Sequence, residues 1–380
     1  MVDIYVDCYL EHNLGDDLFL LALLNRYKDN ADILFHVWAD SSYRYLQSRY
    51  SNIHLHELPN VSGNLLQRQT MRRKIMHQKM ASVAHADATV QIGGSIFMEW
   101  HGGNVRKRLR DYRYWLNWKK WTTYLYATPS ASFVIGSNFG PWKTKNFKRV
   151  MHRLFGRYCT DVCFRDQYSA GLFSDLRNVR WAPDVLFGVT MPHTDKRRQV
   201  FVSVIDLNRK GEGLASKQTA YQAWLVKQIQ LMTEQGYETV LCSFCEYEGD
   251  SQAVADLSEQ LRSVGIGARE LYYAGNDQEV LSEIAASEYV IASRFHATIL
   301  GLAAGCKVLP VLYSDKTRHV LEDLDYPMDT CVDLLDDSDV AFAHDVASSS
   351  VFPVTQTIYE SYRQFEALDA WLNQTISREH

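Results

Sequence analysis

The sequence predicts an α/β protein of two domains, each a parallel sheet with helices on both faces. Three observations carry this. Short runs rich in β-branched and aromatic residues alternate with longer amphipathic runs from one end to the other. The alternation restarts after a polar, proline-containing stretch, MPHTDKRRQ at 191–199, which reads as a linker. The length, 380 residues, exceeds one ordinary domain and suits two. The expected division is an N-terminal domain over 1–194, a C-terminal domain over 195–350, and a final segment, 351–380, whose helix (TIYESYRQFEALDAWLNQT, 357–375) packs back on the first domain.

In chain order, the first half offers strands at 2–7 (VDIYVD), 33–38 (ILFHVW), 52–57 (NIHLHE), 88–93 (ATVQIG), 132–137 (SFVIGS) and 161–165 (DVCFR). The second half offers 200–206 (VFVSVID), 239–244 (TVLCSF), 269–271 (REL), 289–293 (YVIAS) and 307–313 (KVLPVLY). Helical patterns lie between most of them, such as GDDLFLLALLNRY after the first strand and KQTAYQAWLVKQIQLMTEQG after 200–206. Two such domains are expected to face each other across a cleft, with ligands at the carboxyl ends of the strands.

Composition narrows the function. The hydrophobic fraction of 46% and charged fraction of 22% are ordinary for a globular chain. Burial at this size is sufficient without a disulfide or metal staple. A net charge of −5 argues against bulk nucleic-acid binding. The odd set of cysteines, Cys8, Cys159, Cys163, Cys242, Cys245, Cys306 and Cys331, reads as reduced thiols. Cys242 and Cys245 have CxxC spacing, but both they and the Cys159–Cys163 pair fall inside strand-patterned runs, which favours buried thiols over a zinc site. No HExxH or comparable metal motif occurs, so no metal is expected. MVDIYVDCYL lacks the basic n-region and long apolar run of a signal peptide, and no run of about 18 apolar residues occurs. The expected location is the cytoplasm, with the inner face of the cell membrane as the place of work if a membrane contact exists.

Six loops repeat one layout, in which a strand ends and a polar or glycine-containing turn opens a helix. The first is His12-Asn13-Leu14-Gly15-Asp16-Asp17, where free helix amides suit an anion and an aspartate suits an N-cap. The second is Ile92-Gly93-Gly94-Ser95, whose paired glycines permit close backbone approach. The third is Gly136-Ser137-Asn138-Phe139-Gly140-Pro141, and the fourth Phe164-Arg165-Asp166-Gln167-Tyr168-Ser169. The fifth, Ser293-Arg294-Phe295-His296-Ala297, joins two apolar elements, YVIA and ATILGLAAG, where packing alone gives no reason for Ser, Arg and His. Arginine presents a planar fork to carboxylate or phosphate, and histidine exchanges protons near neutral pH. The plainer alternative is an arginine tied to a structural carboxylate beside a capping histidine. The sixth is Tyr313-Ser314-Asp315-Lys316, which adds a cation at the next strand end.

Taken in order, NLGDD, IGGS, IGSNFGP, FRDQYS, APDVLF and SRFHATILGLAAG…VLYSDK resemble the polysaccharide pyruvyl transferase family over residues 13–316. The second motif has GGS where three glycines are frequent, and Phe295 stands where Leu is frequent; neither change removes a polar group. The resemblance implies a GT-B-like pair of facing Rossmann-like domains. It also implies phosphoenolpyruvate as donor and a sugar of a surface polysaccharide, or of its lipid-linked precursor, as acceptor. The implied product is a pyruvate ketal, with phosphate released and no further cofactor. On that basis Arg165, Ser293, Arg294, Lys316 and Gly94 are expected at the donor, and Asn13, Asp17, Ser95 and Asn138 at the acceptor. His296, Arg294 and Asp16 are expected to carry the chemistry. Which of His296, Asp16 and Asp17 is acid and which is base stays open. The chief rival is a GT-B glycosyltransferase using a nucleotide sugar; a non-catalytic sugar-binding protein and a phosphate-ester sensor are the others.

One stretch stands apart. Residues 105–126, VRKRLRDYRYWLNWKKWTTYLY, set seven cations against Asp111, with Trp115, Trp118 and Trp121 three apart. It reads as a core helix with solvated cations, and alternatively as a peripheral membrane contact. Nucleic acid is not expected as a partner.

Overall fold

The computed structural model describes residues 1–99, 105–336 and 342–379. The chain forms two compact units. Met1–Tyr9, Phe19–Val185 and Tyr362–His380 make the first; Leu10–Leu18 and Leu186–Ser361 make the second. Residues 10–18 follow the first strand in sequence but group with the second unit, because the Leu14 amide donates to the Phe244 carbonyl (3.0 Å) and Asn13 bridges Cys245. The end of the chain divides near residue 361 rather than 350.

The first unit carries β1 (Val2–Asp7), β2 (Ile33–Ala39), β3 (Ile53–Glu57), β4 (Ala88–Ile92), β5 (Ala131–Ser137), β6 (Asp161–Phe164) and β7 (Val179–Trp181). Their order is β3-β2-β1-β4-β5-β6-β7, with every neighbouring pair parallel. All of β4 and β5 is buried, as central strands of a doubly covered sheet require. Helix Lys145–Tyr158 shows how the sequence fixes its face. Thr144 caps it by accepting from the Phe147 amide, and Phe147, Met151, Leu154 and Phe155 fall on one buried stripe. That stripe joins a core with Phe97, Phe139, Phe164 and Phe173, and Trp115, Trp118 and Trp121 of helix Val105–Ala127 pack against it. The C-terminal helix Glu366–Glu379 belongs to the same unit: Trp371 meets Phe133 at 5.8 Å, and Asp369 accepts from Arg26.

The second unit carries β8 (Arg197–Ser203), β9 (Glu238–Ser243), β10 (Arg269–Tyr272), β11 (Ser287–Ala292), β12 (Lys307–Leu312) and β13 (Val332–Asp333). Their order is β10-β9-β8-β11-β12-β13, again parallel throughout. Val200, Val202, Leu241, Ile291, Leu309 and Val311 enter one core with Tyr221, Leu225 and Ile229 of helix Gln218–Glu234.

The sequence reading lacks β7 and β13. These edge strands of three and two residues are too short to show a period. The linker is also shorter than 191–199, since β8 begins at Arg197. In each sheet the winding reverses once, at β1/β4 and at β8/β11. The carboxyl ends of strands flanking such a reversal are where open α/β sheets bind ligands.

Candidate active site

In the second unit the reversal lies between Ser203, ending β8, and the Ser293-Arg294 turn after β11. The buried Ser203 hydroxyl accepts from both the Ser293 amide (2.9 Å) and the Arg294 amide (3.0 Å), which pins that turn. Ser293 is itself fully buried, and its hydroxyl accepts from Tyr221 (2.7 Å). Expected at the donor, Ser293 is thus part of the frame that sets the direction of Arg294.

The Arg294 guanidinium is held by two carboxylates that the sequence reading did not single out. Its Nε donates to Asp250 Oδ2 (2.8 Å), its Nη2 to Asp250 Oδ1, and its Nη1 to Glu248 Oε2 (2.6 Å). Asp250 is fully buried at the start of helix Asp250–Ser263, so it fixes the plane of the fork. Lys210 forms an ion pair with the same Glu248. Burial alone would raise Glu248, but Arg294 and Lys210 outweigh it and hold the carboxyl at about 2. Burial would lower Arg294, yet Asp250, Tyr313 and Glu248 raise it, so it stays protonated. Lys210 and Lys316 flank the Tyr313 ring, at 5.7 and 5.9 Å from its centroid. The expected cation Lys316 therefore sits in this cluster, and Lys210 joins it unforeseen. The signal for the missed groups was the acidic turn Glu246-Tyr247-Glu248-Gly249-Asp250 following a strand.

The Asn13–Asp17 turn belongs to the same cluster. Asn13 Oδ1 accepts from the Gly15 amide (3.2 Å), and its Nδ2 reaches Glu248 Oε1 (3.5 Å). A Cβ on Gly15 would lie 1.6 Å from Nδ1 of His296, so only glycine admits the imidazole here. Asp17 is buried and accepts from Tyr273 OH (2.7 Å), while Asp16 is partly exposed in the first turn of helix Leu14–Arg26. Of the two aspartates, Asp17 is tied into the unit's interior and Asp16 stands at its surface.

In the first unit, Arg165, Gly94, Ser95 and Asn138 meet at the carboxyl ends of β4, β5 and β6. Arg165 is 1% exposed, donating to Asp184 Oδ2 (3.0 Å) and Asn138 Oδ1 (2.6 Å). Ser95 donates to the same Asn138 oxygen (3.2 Å), and a Cβ on Gly94 would lie 2.8 Å from Arg165 Nη1. Arg165, expected as a donor-binding cation, is thus a buried member of an ion pair that fixes Asn138 and the glycine turn; Asp184 comes from the APDVLF motif.

Asp7, which the sequence reading passed over, ends β1 at the reversal of this sheet. Its Oδ2 accepts from Gln91 Nε2 (2.8 Å), and Gln91 in turn accepts from Tyr126. Burial raises the Asp7 carboxyl against the opposing pull of Lys79, Gln91 and Trp121. Among the described residues, no group of three or more His, Cys, Asp or Glu side chains could hold a metal ion.

Three comparisons bear on this arrangement. The family described as polysaccharide pyruvyl transferase matches residues 13–315. The amylovoran biosynthesis protein AmsJ of Erwinia amylovora is 23% identical over 267 residues, 63% of this chain; the match spans 60% of the length of that relative. Among solved structures, Anabaena HepE in complex with UDP-glucose is similar over 100% of both chains, with 13% identity and a TM-score of 0.50. UDP-GlcNAc 2-epimerase of Neisseria meningitidis bound to UDP-GlcNAc is similar over 97% of this chain and 99% of that one, with 9% identity and a TM-score of 0.53. At these identities the structural likeness speaks for the GT-B-like α/β fold alone. The family match covers the turn of Asn13, the Arg165 loop, the Arg294–His296 loop and Asp315, the motifs around which both clusters are built, and this chain belongs to the polysaccharide pyruvyl transferase family.

Proposed function

We propose that the chain transfers the three-carbon unit of phosphoenolpyruvate to a sugar of a surface polysaccharide or its precursor, forming a pyruvate ketal and releasing phosphate. The observation that carries this reading is the cluster at the β8/β11 reversal: Arg294, Lys210 and Lys316 around Tyr313, with His296 seated against Gly15. Phosphoenolpyruvate bears a carboxylate and a phosphate ester on the same carbon. One guanidinium and two ammonium groups gathered at a single strand-end cluster are the donors that such an anion takes. The buried Asp250 locks the guanidinium plane, so Arg294 is oriented before the donor arrives, and the donor displaces the half-exposed Glu248 from its outer edge.

In this scheme the methylene carbon gains a proton and the adjacent carbon becomes electrophilic. One sugar hydroxyl adds to that carbon and loses its proton. A second hydroxyl displaces phosphate, closing the ketal. His296 and Asp16 divide the proton transfers, a role typically worth about 10²–10⁴-fold.

The test incubates the purified chain with phosphoenolpyruvate and a panel of synthetic and lipid-linked glycans, following phosphate release and a product heavier by one pyruvate less water. His296→Asn should lower turnover at least about a hundredfold while leaving donor binding by calorimetry largely intact. Nucleotide release from a UDP-sugar, with no phosphate from phosphoenolpyruvate, would favour the glycosyltransferase reading instead.

A further inference from the structure

Helix Leu65–His85 is 21 residues long, yet only Val83 near its carboxyl end is buried. Its start is well made: Asn64 accepts from the Gln67 amide and Gln67 reaches back to the Asn64 amide, a capping box. Met71, Ile75, Lys79 and Ser82 form a partly buried stripe toward the unit, and the opposite face is exposed from end to end. That outer face mixes two chemistries. Arg68, Arg72, Arg73 and Lys74 are exposed, and no Asp or Glu occurs between Glu57 and Asp87. Beside them stand Leu65, Leu66 and Met76, exposed at 72%, 74% and 43%.

The neighbouring helix continues the pattern. Tyr124 OH of helix Val105–Ala127 donates to the Met80 carbonyl (3.1 Å), so the two helices lie side by side. Its tryptophans face the core, but Arg110, Arg113 and Tyr114 share an exposed stripe, with Tyr112 exposed beside it. A helix of mixed polarity with so little packing turns most of its side chains outward.

We propose that these two helices dock the first unit on an anionic lipid bilayer. Cations alone would suit any polyanion. The exposed leucines at the amino end of the first helix decide among them, because they gain nothing against a hydrated polysaccharide or nucleic acid and gain burial at the acyl boundary of a bilayer. The arginines then meet lipid phosphates at the same level, and Tyr112 and Tyr114 suit the interface, where an apolar ring and a polar hydroxyl both find partners. This surface is independent of the chemistry assigned to Arg294 and His296.

The test is co-sedimentation of the full chain with vesicles of phosphatidylglycerol and phosphatidylcholine, against vesicles of phosphatidylcholine alone, at low and high salt. Binding is expected on the anionic vesicles and should weaken steeply with salt. The triple variant R72E/R73E/K74E should bind at least about a hundredfold more weakly, at roughly fivefold for each cation withdrawn. The variant L65S/L66S should bind about tenfold more weakly with its thermal midpoint unchanged, since both side chains are exposed. No binding of the unaltered chain at low salt would overturn the proposal. So would charge-dependent binding to a soluble polyuronate equal to that on vesicles, with L65S/L66S indistinguishable from the unaltered chain on both.

Discussion

At the scale of single residues, the site depends on side chains whose freedom has been removed by neighbours. Arg294 is oriented by Asp250 and Glu248, and its turn is pinned by Ser203. His296 is placed by an absence, the missing side chain at Gly15. Gly15→Ala would put a carbon 1.6 Å from Nδ1, so the ring must leave its position. Displacement of a reacting group by about 1 Å can cost on the order of 10²-fold. Turnover in Gly15→Ala should therefore fall about as far as in His296→Asn, measured by phosphate release, with donor binding retained because Arg294 is untouched. Turnover near that of the unaltered chain would remove His296 from the chemistry. Arg294 and His296 stood out in the sequence because polar groups at a junction of two apolar elements lack an evident packing reason, although the buried Asp250 gives Arg294 a structural partner as well. Asp250 and Glu248 were not, because an acidic turn after a strand is also what an ordinary solvated loop looks like. Arg165 shows the converse: its motif was legible, but its burial against Asp184 was not.

At the scale of elements, the edge strands β3 and β10 were legible to within a residue, and the ones missed were β7 and β13, the shortest. The β3 edge of the first sheet carries chemistry of its own. His36 on β2 and His54 and His56 on β3 share one face, with His36 Nδ1 3.0 Å from His56 Nε2 and His36 Nε2 2.8 Å from Asp3 Oδ1. Trp38 stacks on His56 at 4.9 Å. Burial first, then His54 and His36, lower His56 from 6.5 to about 4. Its folded value lies below its unfolded one, so the unfolded chain takes up the proton first. The stability this group contributes is complete above pH 6.5 and is lost as pH falls from 6.5 through 4. His56→Asn removes that titration and keeps an amide for His36. Its thermal midpoint should decline less than that of the unaltered chain between pH 8 and pH 5; equal declines would show that the ladder does not titrate in this range.

At the scale of the whole chain, the C-terminal segment belongs to the first unit, and besides Asp369 and Trp371 one buried amide ties it there. Gln364 accepts from the Gly136 amide (2.9 Å) and donates to the carbonyls of Phe164 (3.2 Å), Ala182 (2.7 Å) and Pro183 (3.1 Å). Gln364→Leu fills the space but strands these buried groups, at a cost of about 3 kcal/mol. The thermal midpoint should fall by about 6–12 °C, read by calorimetry, and a change under about 2 °C would mean that water replaces the amide. The sequence by itself determined the alternation of strands and helices and the placing of polar turns at the ends of apolar strands. Both follow from local periodicity and junction chemistry within about ten residues. Only the tertiary structure decided which side chains meet. Asn13 reaches Glu248 across 235 residues, Tyr273 reaches Asp17 across 256, and residues 10–18 leave the unit that precedes them in sequence. Such pairings depend on the order in which parallel strands assemble, and a parallel crossover brings distant segments to one sheet edge without leaving a repeat or spacing in the sequence to announce it.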